Sequence, residues 1–264
     1  MKMDEHMHHV NSGPNAGLPL GILLGVLLVL YIAAIIVSNR QHKKWPLYRT
    51  AFWIFGTVCG AASVMGPIAD SSHMNFTAHM VSHLLLGMLA PLMMVMAAPM
   101  TLLLRTLKIA HARRLSRLLK AWPVRILGNP ITASILNIGG LWVLYTTELY
   151  TLMHQQNFLY LLVHIHVFLA GYLFTASMIY IDPTPHRFSF QFRTGIFILA
   201  LAGHGILSKY IYANPPSDVM KVQAEAGAML MYYAGDAIDL VLISLLCFQW
   251  YKTARPRKPL LMDP

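Results

Sequence analysis

The chain has 264 residues, 56% of them hydrophobic and only 11% charged. A water-soluble domain carries about 25% charged residues, so composition excludes a soluble enzyme and a disordered tail. The charge is lopsided, with 20 Lys+Arg against 10 Asp+Glu and a formal net charge of +10. In a soluble chain that balance would suggest nucleic acid; in a membrane chain it records topology. With just Cys59 and Cys247, and no C-x-x-C motif, a disulfide scaffold, a thiolate zinc site and an iron–sulfur cluster are excluded as well.

A bilayer core is crossed by about 20 mostly apolar residues per helix. Seven such windows follow in chain order: Leu18–Ser38, Thr50–Ile68, Phe76–Leu104, Ile131–Leu149, Phe158–Ile181, Thr194–Ala213 and Ala226–Tyr251. The first is not a cleaved signal peptide, because its apolar run is too long and its basic cluster (Arg40, Lys43, Lys44) follows the run. Seven spans with the N-terminus outside put segments 39–49, 105–130, 182–193 and 252–264 on the inner side. Those segments hold 17 of the 20 basic residues, as the positive-inside rule demands. The expected fold is therefore all-α: a polytopic membrane bundle of seven transmembrane helices, N-terminus out and C-terminus in. Residues 1–17 form an extracytoplasmic Met/His-rich leader, 18–251 the membrane domain and 252–264 a basic cytoplasmic tail. The positive charge then faces anionic membrane lipid and needs no nucleic acid.

Two features refine the spans. Segment 108–122 sets Leu115, Leu118, Leu119 and Trp122 at helical spacing among Arg113, Arg114, Arg117 and Lys120, the pattern of an amphipathic helix lying on the inner surface. Pro91 and Pro99 predict a kink or tilt in the third span.

Ionisable groups inside spans are costly and mark function by default. Here they gather in the outer half or middle of the spans. His79 and His83 lie at i, i+4 in the third span, so both imidazoles share one helix face. His164 and His166 in the fifth are two residues apart and diverge, so one of the two enters a shared site. His204 stands mid-span between Gly203 and Gly205, and Asp236 and Asp239 lie on one side of the seventh span. A lone intramembrane His is ordinarily a hydrogen-bonded core residue. Several of them with a carboxylate at one depth suit Zn, Cu, Fe or Ni. His73 and Met74, in the outer loop before the third span, either extend the set or simply cap the helix. The leader adds Met1, Met3, His6, Met7, His8 and His9, a soft and imidazole mixture suited to Cu(I) or else a segment of no function. Glu148 and His154 flank the outer end of the fourth span as possible access-path ligands.

The stretch FTAHMVSHLLLGMLAPLMMVMAAPMTLLLR (76–105) resembles the signature of the CtaG family of cytochrome c oxidase assembly factors, the seven-span membrane type. The likeness continues in LYLLVHIHVFLAGYLFTASMIYIDPTPHR (159–187), AGHGILSKYI (202–211) and QAEAGAMLMYYAGDAIDL (223–240). It marks His79, His83, His164, His204 and Asp236 as the matching polar positions. It implies a protein of the bacterial plasma membrane, not an enzyme, with cytochrome c oxidase subunits as partners and copper as the metal to be delivered. Two other functions fit the same residues. Facing intramembrane His could ligate the haem of a membrane carrier, and His with Asp could hold zinc in an intramembrane hydrolase.

Overall fold

The computed structural model describes residues 17–254; the Met/His leader and most of the basic tail lie outside the described residues. Everything regular within it is helical. In chain order the helices are α1 (Leu18–Gln41), α2 (Leu47–Val64), α3 (Pro67–Ser72), α4 (Phe76–Met96), α5 (Pro99–Thr106), α6 (Ile109–Leu119), α7 (Trp122–Leu127), α8 (Pro130–Thr146), α9 (Leu149–Gln155), α10 (Asn157–Met178), α11 (Phe190–Ala213) and α12 (Lys221–Ala254). Five of them, α1, α4, α10, α11 and α12, are long and apolar enough to cross a membrane. The other two expected spans correspond to α2, with 18 residues, and to the shorter apolar helix α8. Among the described residues the chain is thus a helical membrane bundle.

Helix α4 occupies the middle, packed against α2, α10 and α12, and α11 lies along α12. Its start is set by Asn75, whose side chain accepts hydrogen bonds from the backbone N–H groups of Thr77 (2.8 Å) and Ala78 (3.4 Å). Gln223 of α12 accepts the N–H of Phe76 at 3.2 Å and ties the two helices at this end. Directly after His83, residues Leu85–Leu89 form one π-helical turn in which the Ala90 N–H reaches back five residues to the Leu85 carbonyl. The wider turn makes room for Pro91, which has no N–H to continue an α-helical ladder. A second π turn, Ile135–Gly139, interrupts α8.

The third span was expected to continue to Leu104. It ends at Met96 instead, because Ala98 adopts a left-handed conformation (φ 52°, ψ 56°) and Pro99 starts a separate helix. Asp182, from the loop after α10, caps that helix. Its carboxylate accepts from the backbone N–H of Met100 (3.0 Å) and Thr101 (2.7 Å) and from the Thr101 hydroxyl (2.6 Å). An anionic cap on two orphan N–H groups is worth about 1–2 kcal/mol. Asp182→Ala should lower the melting temperature of the detergent-solubilised protein, while Asp182→Asn, which keeps an acceptor, should recover part of the loss.

The expected amphipathic segment folds as α6 and the first residue of α7, and α6 buries none of its residues. The apolar core forms three groups: one between α1, α2 and α4; one around Phe76, Met80, Leu144 and Met231; and one around Leu92, Phe174, Phe197 and Leu242. The buried His79, His83, His204 and Asp239 lie beside the second and third of these. The loops divide between two ends, named below for His73 and Asp182.

Candidate functional site

The structure sorts the polar residues expected in the spans. His79, His83, His164, His204 and Asp239 are buried, whereas His166 and Asp236 are exposed. Of the diverging pair on α10, His164 turns inward. His166 is spent elsewhere: its Nε2 pairs with the Leu136 carbonyl at 3.1 Å, over Gly140. On α12 the carboxylate that enters the bundle is Asp239.

At the His73 end the imidazoles form an aromatic cluster. The rings of His73 and His154 lie 6.0 Å apart, those of His154 and His79 5.8 Å apart, and His73 stacks on Tyr160 at 5.2 Å. Tyr160 in turn stacks on His164 at 3.9 Å, so four imidazoles from a loop, α4, α9 and α10 are linked by ring contacts. Tyr150 completes the wall 5.1 Å from His79, and the Tyr145 hydroxyl is hydrogen-bonded to His79 Nε2 at 3.0 Å. A cavity of about 270 Å³ opens beside this cluster, with His73, Met74, Tyr150 and His154 in its lining.

Hydrogen bonding sets two of the tautomers. His154 Nδ1–H donates to the Tyr150 carbonyl and His164 Nδ1–H to the Tyr160 carbonyl, both at 2.8 Å. A carbonyl only accepts, so in the neutral ring each Nε2 keeps its lone pair. Metal-binding histidines are oriented in this way, with one ring N–H given to a carbonyl and the other nitrogen free. Outside the spans, burial pushes the pKa of His73 below the usual imidazole range, partly opposed by Asp70. Burial does the same to His154, opposed by its bond to the Tyr150 carbonyl and reinforced by His73. Both rings are therefore neutral, with lone pairs to offer, at neutral pH.

Deeper in the bundle, His83, His204, Asp239, Asn137 and Thr175 share a small cavity of about 30 Å³, otherwise walled by apolar side chains and Gly87. That volume holds one or two waters. The Nε2 atoms of His83 and His204 have no hydrogen-bond partner among the described residues, so this cavity contains two buried imidazole nitrogens with unfilled capacity. Glycines make the space: a Cβ at Gly235 would stand 2.6 Å from the His204 ring. Among the described residues, no three His, Cys, Asp or Glu side chains converge in a geometry that would cage a metal ion. The donors form a series through the bundle, not a closed coordination sphere.

His154, expected only at the margin, sits inside the cluster, and the tyrosines were not singled out. The available signal was a repeated Tyr-x-x-x-His spacing, Tyr150/His154 and Tyr160/His164, which places each ring over the turn that holds it. On α12 the packing buries Asp239 and leaves Asp236 exposed.

Fold and site together define an all-helical membrane protein with a histidine-lined cavity at one end and buried imidazoles beneath it. The chain belongs to the family of cytochrome c oxidase caa3 assembly factors, whose pattern it matches over residues 29–253. It is also similar to uncharacterized proteins of Mycobacterium bovis (31% identical over 70% of this chain) and Mycobacterium leprae (28% identical over 70%). In both cases the match covers 29% of the relative, so this chain spans less than a third of their length. No solved structure matches.

Proposed function

We propose that this chain is a seven-span assembly factor, N-terminus out and C-terminus in, that accepts copper at the His73 end and delivers it to cytochrome c oxidase. The observation that carries the reading is the gathering of His73, His79 and His154 beside an open cavity with Met74 in its lining. Imidazole and thioether are the protein donors that suit copper. Copper is cargo in this scheme. A carrier has to release its metal, which few and successive donors permit and a four-ligand cage resists. Met74 and His73 make first contact, His154 and His79 take the ion by ligand exchange, and His164 offers its free Nε2 below. The oxidase subunit enters from the same side and removes the ion by the same exchange, with no change of oxidation state.

The test is elemental analysis of purified protein, wild type beside a His79→Ala/His83→Ala double variant, together with oxidase copper content in the cells. Wild type should carry copper and the variant should not, and oxidase from the variant strain should be copper-deficient while the assembly factor stays in the membrane. Normal oxidase copper in that strain would overturn the proposal. A Soret band in the preparation would mark a haem carrier instead, and stoichiometric zinc a hydrolase.

Tyr145 gives a finer check. Its hydroxyl orients His79, and loss of such a partner typically weakens metal binding about 10–100-fold. Tyr145→Phe should therefore retain the fold and lose copper affinity in a chelator competition titration.

A further inference from the structure

The largest cluster of charge among the described residues lies far from the buried histidines, at the Asp182 end. Arg105, Lys108, Arg113, Arg117 and Lys120 line a groove of about 900 Å³, closed on its far side by Gln41 and His42 where α1 ends. Among the described residues no carboxylate lines it. Asp182 is the single carboxylate at this end among the described residues, and it is committed to capping α5. The one ion pair among the described residues, Lys221–Glu225, is at the opposite end.

Topology requires cations on one side of a membrane but does not require them to be gathered. Here they are gathered. Arg113 and Arg117 of α6 and Lys120 at its C-cap follow i, i+4, i+7 spacing and share one face, opposite Leu115, Leu118 and Leu119. Arg105 is held in place: its Nη2 donates to the Lys43 carbonyl at 2.8 Å and its guanidinium lies 5.2 Å from the Trp45 ring centre. Leu104, Leu107 and Ile109 make the same groove partly apolar. One turn back along α1, Ile36 and Val37 are exposed where the groove meets the span.

We propose that this groove is a defined binding site for the headgroup of an anionic glycerophospholipid. The phosphate lies against Arg113, Arg117 and Lys120, with Arg105 behind it, and the acyl chains run along the exposed flank of α1. Arg113, Arg117 and Lys120, which have no side-chain partner among the described residues, supply the charge-assisted hydrogen bonds that a phosphate accepts. The apolar wall and the neighbouring span favour a lipid over a free phosphate, which would leave both unused. The occupied groove would hold α6, which buries none of its own residues, against the ends of α1 and α5.

The experiment uses the full-length protein in neutral detergent, titrated with phosphatidylglycerol or phosphatidylcholine and read by native mass spectrometry. Phosphatidylglycerol should bind at a stoichiometry of one, and phosphatidylcholine should not. Arg113→Gln/Arg117→Gln/Lys120→Gln should weaken phosphatidylglycerol binding by about tenfold or more, as expected when several cations near a headgroup are lost. Arg114→Gln/Arg125→Gln, which removes neighbouring cations outside the groove lining, should leave it nearly unchanged. These positions are exposed, and an unchanged elution profile confirms that each variant is folded. Equal weakening in both variants would reduce the effect to general surface charge and overturn the proposal. Displacement of the lipid by millimolar inorganic phosphate, or binding of a polyglutamate peptide with no lipid bound, would overturn it too.

Discussion

Alanine at position 171 is expected to leave little folded protein. Gly171 lies on α10 where that helix crosses the π turn of α4, and a Cβ built there stands 2.0 Å from the Gly87 carbonyl oxygen and 3.0 Å from its carbon. The obstacle is backbone, so no side-chain rotation relieves it. Gly87 cannot retreat, since it belongs to the π turn that accommodates Pro91, whose ring is 3.3 Å from the same Cβ. Small residues are what allow helices in a membrane to approach this closely. Overpacking at such a contact costs about 3 kcal/mol or more. The yield of monodisperse protein and its melting temperature in detergent measure the effect. Gly25→Ala on α1 is the matched control, because its Cβ would meet nothing within 4 Å. An unchanged melting temperature for Gly171→Ala would show that α4 and α10 separate without cost.

Alanine at His79 should produce the largest functional loss, at least about tenfold in copper retained by the protein. His79 is buried within the cluster at the His73 end and touches His154, Tyr150 and Tyr145, so on the proposed path an ion from the cavity would reach it through His154. If these residues act in series, His154→Ala should cause a similar loss, and the double variant should be hardly worse than either single one. Such non-additivity is the mark of groups that act as a unit. His166→Ala should be silent, since that ring sits on the outer surface of α10 bonded to a backbone carbonyl. Additive losses at His79 and His154, or a defect in His166→Ala as deep as theirs, would remove the basis for a single path.

The helical character and the position of the histidines were legible because both follow from local rules. Apolar runs without turn residues become long helices in a membrane, and an i, i+4 pair shares a face whatever surrounds it. The divergence of His164 and His166 was equally predictable. Which of the two turns inward was not, because that depends on the rotation of α10 against α8, decided by the space over Gly140 and the carbonyl of Leu136. Asp236 and Asp239 present the same difficulty on α12. The end of the third span was misplaced because Pro99 reads equally as a kink within a helix or as the first residue of a new one. The left-handed Ala98 and the cap from Asp182, more than eighty positions along the chain, decide between them. His154 was undervalued because it lies outside any span, on a short helix whose placement depends on tertiary packing around Tyr150.

The two π turns carry a consequence for how this sequence tolerates insertions and deletions. Each one absorbs a single extra residue within a helix, and everything beyond it is rotated by about 100° relative to an uninterrupted α-helix. In α4 the turn separates the face bearing His79 and His83 from the face where Met94 and Val95 enter other parts of the core. The two halves of this helix are thus registered independently, one to the polar interior and one to the apolar packing. Losing one residue between Leu85 and Leu89 would keep a continuous helix yet force a choice, with either the imidazoles or the packing face turned out of place. The bulge acts as a phase offset between chemistry and structure, written into a single segment of chain.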